Sequence, residues 1–170
     1  VSGDNARGID LAVTHLVELG HPRIIHVAGP PNFSTTRTRA EAFEAAATRA
    51  GVEHDTIYAT ALSTDAGFEA AEKLLSDNGV APSALVAGND LVALGLIRRL
   101  RVQGLRCPDE VSVVGFNDMP FAGDFWPPLT TVRMPLREIG AEAARLLLRG
   151  IEVGEQEAAT LTLPVSLVVR

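Results

Sequence analysis

Alternating apolar and amphipathic stretches predict an α/β protein built on a doubly wound parallel sheet, and three observations carry that reading. Helical and strand-like segments succeed one another at intervals of roughly thirty residues, the spacing of βα units. A glycine follows nearly every helical stretch, at Gly20, Gly51, Gly79 and Gly104. Two runs, Ala84-Leu-Val-Ala87 and Val111-Ser-Val-Val-Gly-Phe116, have almost no polar interruption, as in strands covered on both faces. Right-handed crossovers make a layered, doubly wound arrangement the expected topology.

Asp4 or Asn5 is placed to cap a first helix whose Ile9, Ala12, Val13, Leu16 and Val17 follow i, i+3, i+4 spacing, ended by Gly20 and Pro22. Ile24 to Ala28 reads as a buried strand, and Gly29 to Ser34 as the loop at its carboxyl end. Ser34 or Thr35 is expected to cap the next helix, which turns Ala40, Phe43, Ala46, Ala47 and Ala50 inward before Gly51. A weaker strand is expected near Ile57 to Ala61. Ser63, Thr64 and Asp65 offer caps for a helix carrying Ala70, Ala71, Leu74 and Leu75, which ends at Gly79. The strand from Ala84 leads to a helix over Leu91–Val102, and Pro108 precedes the strand from Val111. Met119 to Pro128 reads as a loop rich in aromatics and proline, ending in Leu129-Thr-Thr-Val-Arg133. A last helix starts at Leu136 with Gly150 after it, and Thr160 to Val169 alternates enough for one or two strands split by Pro164. Val1 leads into the first helix with neither an initiator Met nor an upstream strand, so the sequence is expected to be a portion of a longer chain.

With 170 residues, 46% hydrophobic and 21% charged, the composition fits one globular domain and excludes a disordered or fibrous class. The net charge of −6 supplies no electropositive face for a phosphate backbone, so direct contact with DNA is not expected. A single Cys107 cannot form an intrachain disulfide and suits a reducing compartment. No apolar run reaches membrane-spanning length, and Val1-Ser-Gly-Asp4 lacks the regions of a signal peptide. A cytoplasmic protein without membrane contact is the expectation.

Catalytic machinery is not visible. There is no Gly-Xaa-Ser-Xaa-Gly elbow, no phosphate loop and no Gly-Xaa-Gly-Xaa-Xaa-Gly turn. His15, His21, His26 and His54 have no partners at metal-ligand spacing, nor does Cys107. The sequence therefore predicts no enzyme, no catalytic residue, no metal and no cofactor.

Candidate binding residues come from the strand ends. Open parallel sheets bind ligands beyond the carboxyl ends of their strands, and both apolar runs deliver polar pairs there: Asn89-Asp90 and Asn117-Asp118. Asn89 serves equally well as an N-cap or as a ligand contact. Asn117 and Asp118 are read as binding groups, although they could simply open a turn before Pro120. Arg37 and Arg39 lie in the opening turns of the second helix, where the macrodipole disfavours cations by about 0.3–1 kcal/mol. A guanidinium fork onto ligand oxygens would compensate, and Arg39 is the stronger candidate. The loop aromatics Phe33, Phe121, Phe125 and Trp126 could wall a pocket for a sugar or nucleobase, or cover a core or an interface.

Four stretches also resemble a known family: His15 to Pro31, Gly88-Asn-Asp-Leu-Val-Ala-Leu-Gly95, Pro108 to Asp118 and Pro127-Pro-Leu-Thr-Thr-Val132. In order and nearly end to end, they resemble the effector-binding core of lactose-repressor (LacI/GalR) family transcription regulators. The resemblance implies a lobe like those of periplasmic binding proteins, with a partial second lobe and the effector in the cleft between. Residues 1–132 would form the carboxyl-side lobe, 133–159 would cross to the other, mostly missing lobe, and 160–170 would return. An N-terminal DNA-binding module would be absent, so operator DNA would be met only through that missing module. The chain would work as a homodimer sensing a small, sugar-like effector. A solute receptor of a sugar transporter, which shares the fold, is the alternative.

By the same resemblance, Arg39 matches the arginine that grips effector hydroxyls or a carboxylate, and Asn89 the asparagine of the Asn-Asp motif. Asn117 takes the place of a ligand-binding aspartate, and Asp118 matches its neighbour. Thr35 and Leu62 fall where relatives place a small polar contact and an aromatic stacking wall. Leu62 removes the stacking face, which favours a sugar or polyol over a purine, and the amide of Asn117 both donates and accepts without charge. The apolar face of Leu136, Ile139, Ala143 and Leu147 would be buried against the other lobe or a second copy.

Overall fold

In the computed structural model, which describes residues 1–76, 82–153 and 160–170, the chain runs β1 (Ser2–Gly3), α1 (Asn5–Glu18), β2 (Arg23–Ala28), α2 (Ser34–Ala50), β3 (Glu53–Tyr58), α3 (Thr64–Ser76) and β4 (Ala84–Ala87). It continues with α4 (Asp90–Val102), β5 (Ser112–Asn117), β6 (Thr130–Arg133), α5 (Leu136–Val153), β7 (Thr162–Leu163) and β8 (Ser166–Val168). Six strands form one sheet in the order β3-β2-β4-β5-β6-β8, parallel throughout except for β8, which runs antiparallel to β6. A separate parallel pair joins β1 to β7.

The sheet is covered on both faces because its strands are apolar on both faces. Along β2, Ile24 joins Ile9, Leu16, Phe43 and Ala47 under α1 and α2, whereas Ile25 and Val27 join Ala70, Leu96 and Leu100 under α3 and α4. The doubly wound α/β class expected from the sequence is the one observed. Among the described residues the edge strand β3 pairs only with β2, and its Glu53 and Asp55 are exposed.

Helices start and stop largely where short polar residues and glycine dictate. The Asp4 carboxylate caps α1 by accepting from the Arg7 N–H, and Gly51 ends α2 in the left-handed region at φ 69°. Several boundaries differ from expectation. The cap position of α2 is Phe33, with no side-chain hydrogen bond, because Ser34 and Thr35 already lie within the helix. β3 begins earlier than Ile57, since Glu53 is drawn into register with Arg23. β1 exists upstream of α1, and β6 emerges from the stretch read as loop; both are short and depend on partners distant in sequence. α5 continues through Gly150 to Val153. The expected stop at Gly79 and the end of the 133–159 segment lie outside the described residues.

α3 and α4 touch backbone to backbone. A Cβ on Gly95 would overlap the Thr64 carbonyl oxygen and lie 2.6 Å from the Phe68 nitrogen, and one on Gly67 would overlap the Val92 carbonyl oxygen. α5, by contrast, leaves Leu136, Leu147, Leu148 and Ile151 exposed, and a Cβ on its Gly140 would meet nothing within 4 Å.

His26 is fully buried in β2, its Nδ1 donating to the Val86 carbonyl at 2.8 Å and its ring 5.2 Å from that of Phe43. Burial pushes its pKa down to about 4, against the Val86 hydrogen bond that favours the cation. The imidazole is therefore neutral in the folded protein.

Two predictions follow from these packings. Gly95→Ala should destabilise the protein by about 3 kcal/mol through overpacking against rigid backbone, while Gly140→Ala should stabilise it by about 0.5–1 kcal/mol; urea midpoints separate the two. For His26, the folded pKa lies below the ordinary 6.5, so its contribution is intact above pH 6.5 and is lost as pH falls toward 4. At about 1.4 kcal/mol per pH unit, that loss reaches about 3 kcal/mol. His26→Gln should flatten this slope relative to wild type in pH-resolved unfolding; an unchanged slope would show that other histidines set it.

Candidate functional site

The order of the parallel strands reverses between β2 and β4, because β2 continues to β3 on one flank and β4 to β5 on the other. Crevices of open α/β sheets form at such a switch point, outside the carboxyl ends of the strands. Here the two strand ends touch. The Gly88 N–H donates to the Val27 carbonyl at 2.8 Å, and a Cβ on Gly88 would lie 2.9 Å from the Gly29 nitrogen. Glycine at Gly88 is what lets these backbones meet.

Arg39 sits one turn into α2 and reaches across this junction. Only 8% of it is exposed. Its Nε donates to Asn5 Oδ1 at 2.8 Å, its Nη1 to the Gly88 carbonyl at 2.6 Å, and the guanidinium lies 3.6 Å from the centre of the Phe116 ring. Among the described residues Nη2 has no hydrogen-bond partner. Burial lowers its pKa to about 10, partly offset by the charge of Asp90, so the group remains a cation at neutral pH. Gly8 leaves the Phe116 ring its place, since a Cβ there would come within 2.7 Å of it.

The Asn89 side chain is committed within the fold. Its Oδ1 caps α4 by accepting from the Val92 N–H at 2.8 Å, and its Nδ2 donates to the Leu62 carbonyl at 3.3 Å. Asp90, the second member of the polar pair at the end of β4, is wholly buried. It accepts from Thr131 Oγ1 at 2.5 Å and from the Met119 N–H at 2.7 Å, tying the start of α4 to the loop after β5 and to β6. Burial raises its carboxyl pKa against those two hydrogen bonds. A Cβ on Gly115 would overlap its Oδ1, so the glycine in β5 makes this carboxylate's seat.

At the end of β5 the backbone turns sharply: Asn117 and Asp118 have φ of 113° and 54°. Non-glycine residues held there cost of order 1–3 kcal/mol each. The Asn117 side chain makes no hydrogen bond among the described residues. Asp118 is bound at both oxygens, by Arg133 Nε at 2.6 Å and Arg170 Nη2 at 2.7 Å. Its burial would raise the carboxyl pKa, but the hydrogen bonds and charges of the two arginines outweigh it and hold the group below the ordinary value.

Arg39 and Asn89 thus share the turn after β4, Leu62 joins them by packing over Gly29 and accepting from Asn89, and Asn117 follows Phe116, whose ring the Arg39 guanidinium covers. Thr35 is exposed in the first turn of α2 and lines a shallow depression of about 280 Å³ with Asp4, Ser34 and Thr38. Arg37 folds back onto its own loop, donating to the Pro31 and Asn32 carbonyls at 3.2 and 3.3 Å. Phe33 is exposed at the entrance to α2. Trp126 is not brought to the strand tips: it is 81% exposed beside Arg101, Gly104 and Cys107 at the far end of α4. The loop that carries it must return to the amino edge of the sheet, where Thr130 pairs with Val114. Asn5, Arg133 and Arg170 were not read as site residues from sequence, because their partners lie 34, 15 and 52 residues away.

The two-faced sheet, the single antiparallel strand and the polar cluster at the switch point define a periplasmic-binding-protein-like lobe. The family model described as "Periplasmic binding protein-like domain" matches residues 13–170. The chain is 37% identical to the HTH-type transcriptional regulator DegA of Bacillus subtilis over 98% of its own length and 50% of the relative's. It is 33% identical to the ribose operon repressor of Escherichia coli, over 89% of the chain and 46% of that protein. Among solved structures, the dimeric lac repressor superposes with a TM-score of 0.92 at 33% identity, covering 99% of this chain and 61% of the other. The CelR regulator in complex with cellobiose gives 0.93 at 36% identity, covering 99% and 52%. The chain belongs to the LacI/GalR family of transcriptional regulators, whose effector-binding lobe it reproduces, and it spans about half the length of the curated relatives it matches. Those relatives are regulators rather than enzymes.

The Arg39 clamp makes its own prediction. Arg39→Ala should cost about 3 kcal/mol or more, because two hydrogen bonds from a charged donor are lost at about 1.5–3 kcal/mol each, and Asn5→Ala about 2 kcal/mol. The double variant should fall short of the sum by at least about 1 kcal/mol, as groups in contact do. Additive urea unfolding energies would show that the two side chains act independently.

Proposed function

We propose that this lobe senses a small, uncharged, sugar-like effector for a transcriptional regulator, and that the effector changes operator binding by a DNA-binding module elsewhere in the protein. The observation that supports this reading is a buried, charged Arg39 laid over the ring of Phe116, whose chain neighbour Asn117 carries an unengaged amide at the end of β5. A guanidinium and a neutral amide together offer donors and an acceptor without a free carboxylate, which suits hydroxyl groups. Arg39, Asn117 and the wall formed by Leu62 are the proposed contacts, with Thr35, Arg37 and Phe33 lining the approach. Asn89 would act through the loop it fixes. Regulators of like fold have been solved with ribose and with cellobiose bound, which supports a saccharide guest.

In this reading the protein is a cytoplasmic homodimer, and the guest shifts a two-state lobe arrangement by binding one state more tightly. The alternative of a transporter's solute receptor finds less support, since the relatives are regulators of transcription.

Ribose, cellobiose and a nucleoside should be titrated against the full-length protein with unfolding temperature as readout. A ligand at a hundred times its Kd stabilises by about 2.7 kcal/mol, which raises Tm by several degrees. Arg39→Ala is a poor probe because it also removes a clamp. Asn117→Gly keeps the positive φ free of strain and deletes only the amide, so it should weaken the best saccharide at least tenfold, about 1.4 kcal/mol. A nucleoside response with no saccharide response would overturn the sugar assignment.

A further inference from the structure

Asn117 and Asp118 are the two non-glycine residues with positive φ among the described residues, and the groups that hold them there are all visible. The Asp118 side chain is 7% exposed. Arg133, the last residue of β6, and Arg170, beyond β8, each bind one of its oxygens. Its N–H donates to Thr131 Oγ1 at 3.4 Å, and the next N–H, that of Met119, donates to Asp90 Oδ2 at 2.7 Å. A carboxylate with each oxygen already accepting from a guanidinium and only 7% of its side chain exposed has little left to offer incoming hydroxyls. The neighbouring Asn117 amide, by contrast, is committed to nothing among the described residues.

We propose that Asp118 is a positioning residue rather than a ligand contact: Arg133 and Arg170 hold its carboxylate so that Asn117 presents its amide at the strand tips in one orientation. The consequence for sensing rests on the effector reading above. β6 passes through Met134 and Pro135 into α5, and β8 follows β7 after two residues. The two arginines therefore report the placement of the strands on which the chain leaves and re-enters this sheet. Any rearrangement that draws Arg133 or Arg170 off Asp118 loosens Asn117, so guest affinity and strand placement become one equilibrium.

The test uses the full-length protein and three variants. Asp118→Asn keeps the shape and tolerates positive φ but removes the charge; Arg133→Gln leaves the carboxylate and removes one tie; Arg133→Lys keeps the cation. Amide hydrogen exchange at Asn117 and Met119 is expected to quicken at least tenfold in Asp118→Asn and Arg133→Gln, with α1 and α4 unchanged. Arg133→Lys should restore most of the protection. Whichever of ribose or cellobiose the wild type binds should bind at least tenfold more weakly to the first two variants. Unchanged exchange at Asn117 and Met119 overturns the positioning role. Faster exchange with unaltered sugar affinity overturns its link to the guest. If wild type binds neither sugar, the saccharide reading fails by itself, and the exchange measurement still decides what Asp118 does.

Discussion

A guanidinium taken almost wholly out of water is the constraint around which this lobe is arranged. An unpaired buried charge is expensive enough that its surroundings must be built for it, and among the described residues Arg39 has no carboxylate in contact. It relies on a side-chain amide, a main-chain carbonyl and an aromatic face, from the start of α1, the β4–α4 turn and the end of β5. Each comes from a different segment, so the cation fixes the mutual placement of three strand-edge elements. The nearest negative charge that matters to it, Asp90, sits on the other side of the β4–α4 turn and is itself consumed by Thr131 and Met119. Two opposite charges thus lie buried in one lobe without touching, each tying down its own set of loops.

Glycines make that arrangement possible, and their roles are steric. Gly8 leaves room for the Phe116 ring, Gly115 for the Asp90 carboxylate, and Gly88 for the backbone of Gly29. The Gly67–Gly95 contact does the same for the α3–α4 pair, bringing two helices closer than side chains would permit. The functional edge of the sheet therefore rests on positions where nothing larger than hydrogen fits.

Much of this was legible in the sequence, for physical reasons that differ by element. β2, β4 and β5 announce themselves as apolar runs because both their faces are covered, and α4 announces its start because Asn89 is a strong cap. Arg39 stood out because a cation in the opening turns of a helix needs compensation, although the compensation found is Asn5, Gly88 and Phe116. β1 and β6 stayed hidden because short strands owe their existence to partners far along the chain. The place of Trp126 was equally hidden: its loop reverses across the sheet, and composition says nothing of direction. Asp118 looked like a free carboxylate until Arg170, 52 residues later, came back to claim it.

The free flank of β3 has a consequence for colloidal behaviour. An unpaired strand edge is a template on which another molecule's strand can nucleate, and β3 offers six residues of it. Glu53 there pairs with Arg23 at 3.1 Å and Asp55 is exposed, so charged side chains along this strand discourage a second copy from docking edge to edge. That guard is electrostatic, so it weakens when salt screens it, and association at high ionic strength would begin at this flank.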